Sequence, residues 1–358
     1  MSAVGILCEY NPFHRGHQYV MDQARKKSGA DGIVLVMSGD WVQRGEPAFF
    51  SKYERAQTAL DQGADLIVEL PARFCVSSAK DYAYGGMLAL QSMPFVTSIA
   101  FGLECGDLSK IQEIAAKKER LDLEFDSTIQ HLLKQGMTYP KAFATAYEKR
   151  YATGFVPGSN DILGIEYCCN LKDFPGEIFG IPRNNEFLSA SELRQKRRGE
   201  PHLELEDFRD EIFWGILRGD LAGAKDVTAE ILRRFQFFAR KETTVTGLLT
   251  QVKHKGVSMA RLKRCLVQML LGIQDFDLEK EGISYLRVLG VSDRGKEWLG
   301  TKELFLTRIA RDLEKLSPEE RKLWEQDLSA TNVYQTKWRL KYGETMPDEF
   351  VRPLLTRE

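Results

Sequence analysis

The first hundred residues alternate between short apolar runs and longer amphipathic stretches. The apolar runs lie at residues 4–8, 32–37, 66–69 and 98–102. The amphipathic stretches between them cover about residues 17–28, 51–62 and 77–92. Short strands that alternate with helices are typical of a parallel sheet with helices packed on both faces. The pattern therefore predicts an α/β fold, with ligands bound beyond the carboxyl ends of the strands.

The pattern changes in the second half of the chain. Residues 179–181 form a further apolar run, which predicts a last strand of the sheet. After Gly199, Glu200 and Pro201, the spacing of apolar positions over residues 203–280 is almost wholly helical. We therefore predict an α/β domain at residues 1–200 and a mostly helical domain at 201–358.

The turn after the first strand carries two histidines. Asn11 and Pro12 are a strong turn signal, and Pro12 is expected to keep the chain extended up to Asn11. A helix is expected from Gly16 onward, which places His14 and His17 where a strand, a loop and a helix meet. The free N–H groups and the dipole at the start of a helix favour bound phosphate. Imidazoles there can donate hydrogen bonds to phosphate oxygens and stabilise charge on an attacked phosphorus.

Two other interpretations of the histidine pair are possible. The histidines could be purely structural members of the first turn of a sheet. They could also ligate zinc, although such a site needs further ligands and the chain has no Cys-x-x-Cys pair, so we predict no metal site. The third and preferred interpretation rests on the order of the residues, which resembles the His-x-Gly-His signature of nucleotidyltransferases. That resemblance implies a Rossmann-like sheet that binds ATP.

A second polar element lies late in the first half, where Ser189, Ser191 and Arg194 open a predicted helix. Serine at a helix start normally caps it. The alternative is that the hydroxyls and N–H groups hold the β- and γ-phosphates of ATP, with Arg194 reaching them from the first turns. Nucleotidyltransferases of this signature usually carry such an element late in the domain, so we favour the phosphate contact.

Composition limits the class of protein. The 358 residues are long enough for two domains, and the formal net charge of −1 excludes a general polycation. The six scattered cysteines are typical of reduced thiols rather than of a disulfide framework. The first strand starts near residue 4, and no apolar run is long enough to span a membrane. We therefore expect a cytoplasmic protein with no membrane partner.

Several further runs resemble one family more closely than the superfamily. These runs are residues 5–17, MSGDWVQRGEPA, GADLIVELP, FGLE, SNDILGIEY, SASELR and the late stretch 285–290 with Gly295. Together they resemble the tRNA(Met) cytidine acetate ligase family over most of the chain. The resemblance implies that ATP, with Mg²⁺ on its phosphates, activates acetate to acetyl-adenylate. It also implies that the acetyl group passes to N4 of the wobble cytidine of elongator tRNA(Met).

The resemblance also implies site residues. His14 and His17 would be catalytic. The ATP contacts would be Leu7, Cys8, Glu9, Tyr10, Asn11, Pro12, Phe13, His14, Arg15, Gly16, His17, Gln18, Tyr19, Val20, Gly102, Asn160 and Arg183, together with Ser189, Ser191 and Arg194. Family members usually show a Tyr-His pair between the arginine and the serine motif, whereas residues 184–188 lead directly to Ser189. The identities of the carboxylate and of the RNA acceptor therefore stay open.

Two basic clusters favour contact with an RNA backbone. They consist of Lys196, Arg197 and Arg198, and of Lys253, Lys255, Arg261, Lys263 and Arg264. A solvated helix face is the plainer explanation of either cluster. An anticodon loop would suit such a surface, because its single-stranded bases can be splayed into a pocket. Two other functions remain as alternatives: a small-molecule adenylyltransferase that uses the same ATP site, and a non-catalytic RNA-binding protein.

Overall fold

The computed structural model describes residues 1–118, 123–137, 139–151, 157–184, 186–277, 282–300 and 305–357. The strands in these ranges are β1 (Ala3–Cys8), β2 (Gly32–Ser38), β3 (Trp41–Val42), β4 (Glu46–Pro47), β5 (Leu66–Leu70), β6 (Val96–Leu103), β7 (Glu177–Pro182), β8 (Leu286–Val291), β9 (Phe305–Leu306) and β10 (Leu355–Thr356). The predicted strands of the first half are confirmed.

The helices follow the predicted spacing in the first half. In the described ranges they are α1 (Arg15–Ser28), α2 (Lys52–Asp61), α3 (Ala72–Cys75), α4 (Ala79–Gln91), α5 (Leu108–Lys118), α6 (Leu123–Lys134), α7 (Tyr139–Tyr151), α8 (Ser159–Cys169), α9 (Ala190–Lys196), α10 (Arg209–Arg218), α11 (Ala229–Phe238), α12 (Val245–Val252), α13 (Met259–Leu270), α14 (Asp293–Leu299), α15 (Ile309–Asp312) and α16 (Pro318–Tyr342). Local signals start several of them; Ser51 and Glu54, for example, form a capping box at α2.

The main sheet has the strand order β10-β8-β5-β2-β1-β6-β7, with β9 paired to β8. β1 lies parallel between β2 and β6, and β7 is parallel to β6. The chain therefore leaves β1 towards one side of the sheet and reaches β6 on the other. Open α/β sheets bind ligands at such a reversal of strand order, outside the carboxyl ends. The predicted α/β class is confirmed.

Alternate residues of β1 enter two separate cores. Val4 and Ile6 pack on the face covered by α1 and α2, where Met21 and Leu60 are buried. Leu7 points to the opposite face, where a Cβ on Gly86 of α4 would meet its side chain. Because β1 is buried on both faces, it reads as a continuous apolar run. The strand is thereby fixed, and the turn after it starts from a rigid position.

The second half adds strands to the sheet that the sequence pattern did not predict. β8 pairs antiparallel with β5, so the sheet is not wholly parallel, and β10 pairs with β8. β10 is only two residues long, which is too short for a periodic pattern. β8 is as long as β1 and lies in the late stretch 285–290, but it is a single apolar run among helices. The boundary near residue 200 stays a prediction, but residues from beyond it complete the sheet. Among the described residues, no helix has the length and apolar character needed to cross a membrane.

Candidate functional site

The turn after β1 is sharper than the sequence predicts. The expectation of an extended chain up to Asn11 is wrong, because Tyr10 has a φ of 48° and the Asn11–Pro12 peptide bond is cis. A non-glycine residue with positive φ is uncommon and is often found at functional sites. The turn is held from outside: Phe49 N–H donates to Asn11 Oδ1 at 2.7 Å, and Arg55 Nη1 donates to the carbonyl of Glu9 at 2.6 Å.

The two histidines lie together at the start of α1. Their rings stack with centroids 3.7 Å apart, and the ring of Tyr10 lies 4.6 Å from that of His17. His14 is the N-cap residue of α1, and its Nδ1 accepts a hydrogen bond from Gly16 N–H at 3.0 Å. A neutral His14 therefore carries its proton on Nε2, where it can be donated to a ligand. Nδ1 of His17 is buried without a hydrogen-bond partner among the described residues.

Both imidazoles are held neutral near neutral pH. Burial lowers the pKa of His14, and the positive charge of Arg183 lowers it further. Burial also lowers the pKa of His17 well below its usual value, and its neighbour His14 adds to the effect. Neutral donors can stabilise charge that develops on a phosphate without first repelling a metal cation bound to it. The Nε2–H of His14 is therefore available as a neutral hydrogen-bond donor.

The other predicted ATP contacts between residues 7 and 20 surround this turn. Leu7 and Cys8 are buried in β1, and Phe13 packs edge-on against Tyr10 at 4.9 Å. Arg15, Gln18, Tyr19 and Val20 belong to the first two turns of α1, where Arg15 is exposed. The structure thus places the whole signature segment at the carboxyl end of β1. Direct contact of each of these residues with ATP stays a prediction.

The opposite wall comes from β6, α8 and the end of β7. A Cβ placed on Gly102 would be in ordinary van der Waals contact with Val20 Cγ2 at 3.8 Å and would meet no other atom within 4 Å among the described residues. Glu104 joins the other predicted residues: its Oε1 lies 3.3 Å from the amide nitrogen of Asn160 and 3.8 Å from Nη1 of Arg183. Gly102, Asn160 and Arg183 therefore lie near the two histidines.

Ser189 caps the helix α9, as serine at a helix start normally does. Ser189 Oγ accepts from the amide of Glu192 at 3.3 Å and lies 2.7 Å from its Oε2, so the cap of α9 is confirmed. Arg194 reaches back to the signature turn, where Nη1 donates to the carbonyl of Asn11 at 2.5 Å and Nη2 to Ser191 Oγ at 3.1 Å. α9 thus lies against the histidine turn, and its phosphate contacts stay predictions.

Some residues that shape the site were not singled out from the sequence. Asp161 is buried and accepts hydrogen bonds from the amides of Glu104 at 2.8 Å and Gly158 at 3.0 Å. Arg55 is buried and donates to the carbonyls of Glu9 and Ser38 at the ends of β1 and β2. Asp161 lies in one of the quoted family runs, which was its only signal. Arg55 lies in an ordinary amphipathic helix and gave none.

The partly buried Glu9 follows β1 and lies next to the histidine turn. Burial raises the pKa of Glu9, although the amide of Gln43 donates to Oε1 at 2.8 Å. Arg44, Arg55 and Arg194 act in the opposite direction. Arg44 is exposed on the β3–β4 hairpin, within the run MSGDWVQRGEPA. The hairpin therefore brings the Arg44 cation toward the end of β1, where it acts on Glu9.

Several of the basic residues predicted to contact RNA are engaged within the protein. Arg264 is buried with Nε 2.6 Å from Asp226 Oδ2, and Arg261 Nε donates to the Asp226 carbonyl at 3.0 Å. Lys263 pairs with Glu46, and Arg197 pairs with Glu200. The members exposed to solvent include Lys196, Arg198, Lys253 and Lys255. RNA contact by these clusters stays a prediction.

Comparison with known proteins gives consistent results. A family model described as HIGH Nucleotidyl Transferase matches residues 1–201 and 188–346. The chain is 32% identical over 405 aligned positions to the tRNA(Met) cytidine acetate ligase of Thermoanaerobacter sp. strain X514, with 99% of this chain and 100% of that protein covered. It is 33% identical to the protein of that name from Caldanaerobacter subterraneus subsp. tengcongensis, over 95% and 96% of the two chains.

A solved structure resembles the whole chain. The crystal structure of Thermotoga maritima TmcAL bound with alpha-thio ATP has a TM-score of 0.87 and 26% sequence identity to this chain. The match covers 100% of both chains. The likeness therefore extends beyond the α/β half to the helices and strands that follow residue 200.

Proposed function

This chain belongs to the tRNA(Met) cytidine acetate ligase family of HIGH nucleotidyl transferases, and we propose the corresponding reaction for it in two steps. In the first step, a carboxylate oxygen of acetate attacks the α-phosphorus of ATP and pyrophosphate leaves. In the second step, the exocyclic N4 of the tRNA wobble cytidine attacks the acyl carbon, AMP leaves and the nitrogen loses a proton. The family relationship over nearly the full chain is the observation that carries the proposal.

The residues present fit an ATP molecule. His14 can donate from Nε2–H to a phosphate oxygen, because Gly16 N–H already occupies its Nδ1. The ring of His17 stacks on that of His14 at 3.7 Å and so lies beside this donor. Gly102 carries no side chain, so a base or ribose can approach its backbone closely. Arg183 and Arg194 supply positive charge on either side of the histidines. Stabilisation of charge at the α-phosphate is the chemical contribution that we assign to the histidines.

We propose that Mg²⁺ accompanies ATP rather than occupying a protein cage. Among the described residues, no group of three or more His, Cys, Asp or Glu side chains is arranged to hold a metal ion. Magnesium commonly binds substrate phosphates while keeping several of its waters. It would neutralise charge on the pyrophosphate that leaves.

Exchange of labelled pyrophosphate into ATP tests the first step. We expect exchange to require acetate, and subsequent incubation with unmodified elongator tRNA(Met) to yield acetylated cytidine. The same assay is run with two other compounds in place of acetate: propionate, a longer carboxylate, and a phosphorylated small-molecule precursor. Exchange that is indifferent to acetate but stimulated by the phosphorylated compound would replace the proposal by a small-molecule adenylyltransferase. If the protein binds the tRNA but catalyses no exchange of pyrophosphate under any of these conditions, a non-catalytic RNA-binding protein is favoured.

We further propose that the exposed lysines Lys253 and Lys255 contact the tRNA backbone. Their exposure supports this, whereas Arg261 and Arg264 already bind Asp226. Changing both lysines to Gln should reduce the slope of log binding constant against log salt by about 1 to 2, because fewer counterions are released. Lys296→Gln on α14 is the control. An unchanged slope in the double variant would return these lysines to the role of a solvated surface.

A further inference from the structure

A cavity of about 470 Å³ lies between the histidine turn and the helical half of the chain. Asn11 and Arg194 line one side of it, and Thr246 and Leu249 of α12 line the other. Its volume is in the range of cavities that hold small organic ligands. Asn11 and Arg194 also belong to the predicted ATP site, so the cavity adjoins that site on the side of β4.

One wall of the cavity contains two aromatic rings, of which Phe49 is buried and His202 is partly exposed. The rings of Phe49 and His202 stack with centroids 4.6 Å apart and an interplanar angle of 14°. The His202 ring is fixed, since Nδ1 lies 2.7 Å from the Glu200 carbonyl oxygen and Nε2 lies 3.3 Å from Glu204 Oε1. Leu249 adds apolar surface. Fixed rings and apolar side chains are the surfaces on which splayed nucleic-acid bases stack.

The charges in the cavity are mixed, and they are arranged in pairs. Arg198 lies 3.8 Å from Glu204, and Lys263 pairs with Glu46. Glu206 is engaged differently, because its carboxylate accepts hydrogen bonds from the amide of Val245 at 3.0 and 3.1 Å. The cations suit a phosphodiester, and the carboxylates suit a ligand that carries an amino group. A purely anionic ligand would leave the carboxylates opposed to it.

We propose that this cavity receives the acceptor nucleotide, a cytidine swung out of single-stranded RNA. The assignment rests on the proposed function and adds the place where the acceptor binds. The amino group of a cytosine can donate a hydrogen bond to a carboxylate such as that of Glu46 or Glu204, both of which line the cavity. The base would stack at the aromatic wall while Arg198 meets a flanking phosphate. Asn11 of the histidine turn and Arg194 of α9 both line the cavity, so its nearest side adjoins the predicted adenylate site, and N4 would lie on that side.

A bulky side chain at the cavity mouth tests the assignment. Thr246 is exposed and lines the cavity, whereas Thr250 is exposed one turn later on α12 and does not. Thr246→Trp should weaken binding of a short RNA with an unpaired cytidine by about tenfold or more, because the indole would block the place where the base stacks. Thr250→Trp should bind that RNA like the natural protein. ATP binding is measured in both variants by titration.

The outcomes separate this assignment from the proposed function. If Thr246→Trp binds the RNA as tightly as Thr250→Trp does, the assignment is overturned. If Thr246→Trp loses ATP binding as much as RNA binding, the cavity belongs to the nucleotide site and the assignment is overturned as well. Arg198→Ala is the second variant, expected to bind the RNA more weakly and with a smaller salt slope. If the natural protein binds the RNA in this cavity without acetylating it, the proposed reaction fails while the binding site remains.

Discussion

At the residue scale, His14 has two functions that must be separated experimentally. Its Nδ1 caps α1 through Gly16 N–H, while Nε2–H is available to a ligand. Loss of a side-chain cap costs about 0.5 to 2 kcal/mol of stability, so an alanine variant mixes a structural effect with a chemical one. An asparagine retains an acceptor for the cap but cannot provide the second donor at the same position.

We predict that His14→Asn lowers ATP–pyrophosphate exchange by about 100-fold, as expected for a lost transition-state donor. Its free energy of unfolding in urea should stay within about 0.5 kcal/mol of the natural protein, because asparagine is a good N-cap residue. His14→Ala should lose both activity and stability. Exchange by His14→Asn at the natural rate would remove His14 from the catalytic machinery and leave it as a cap.

Because the pKa of His17 is lowered by folding, we predict that the free energy of unfolding depends on pH. Burial lowers its pKa in the folded protein, so below the usual histidine pKa of about 6.5 the unfolded chain binds the extra proton more readily. This contribution to stability is complete above about pH 6.5 and is lost as the pH falls through the lowered pKa of the folded state.

The measurement is thermal or urea denaturation between about pH 7.5 and pH 5. The loss of stability with falling pH should be smaller in His17→Gln than in the natural protein. His131→Gln changes an exposed histidine on α6 and is the matched control, expected to leave the slope as it was. Identical slopes for all three proteins would show that the ionisation of His17 is not linked to folding.

At the element scale, the β3–β4 hairpin depends on one glycine. Gly45 has a φ of 73°, and a Cβ there would lie 2.4 Å from the backbone nitrogen of Arg264 on α13. Two constraints therefore coincide, since the turn requires a left-handed residue and the helix approaches its backbone closely. The hairpin carries Arg44 and Glu46, so its docking on α13 positions charges of both the ATP site and the cavity.

We predict that Gly45→Ala destabilises the protein more than Gly219→Ala. Gly219 also has a positive φ, 96°, but an added Cβ meets no atom within 4 Å among the described residues. Gly219→Ala should therefore cost about 1 to 2 kcal/mol from the backbone alone. Gly45→Ala should cost at least about 1 kcal/mol more because α13 must shift. Equal free energies of unfolding for the two variants would mean that the contact with α13 relaxes without cost.

At the scale of the whole molecule, a buried network of charges joins the sheet to the end of the chain. Lys52 is fully buried, and its Nζ lies 2.9 Å from Glu69 and 3.3 Å from Glu349. Arg287 on β8 lies 3.6 Å from Glu69 and also pairs with Glu349. Burial opposes ionisation of Glu349, yet Lys52 and Arg287 lower its pKa to about 2. The network connects α2, β5, β8 and the segment after α16.

We predict that Lys52→Met costs about 3 to 5 kcal/mol, because two buried carboxylates, Glu69 and Glu349, would then share the cation Arg287. Lys296→Met is the control, since its pair with Asp293 is exposed and such pairs contribute about 0 to 1 kcal/mol. Urea denaturation monitored by tryptophan fluorescence gives both free energies of unfolding. A loss below about 1 kcal/mol in Lys52→Met would show that the carboxylates find protons or water at little cost.

The sequence by itself determined the features that depend on neighbouring residues. The apolar runs of β1, β2, β5 and β6, the start of α2 at Ser51 and the histidine signature all follow from local spacing and capping. These signals were enough to predict the α/β class and the edge of the sheet at which His14 and His17 lie.

Only the tertiary structure decided which distant residues meet. It added β8 antiparallel to β5, placed Arg55 on the carbonyls of Glu9 and Ser38, and engaged Arg264 with Asp226 inside the protein. No periodicity or spacing in the sequence predicts these contacts, because each joins residues that are far apart along the chain and are brought together only by packing. The physical reason is that a buried charge or carbonyl must find a partner, and folding alone determines which partner lies within reach.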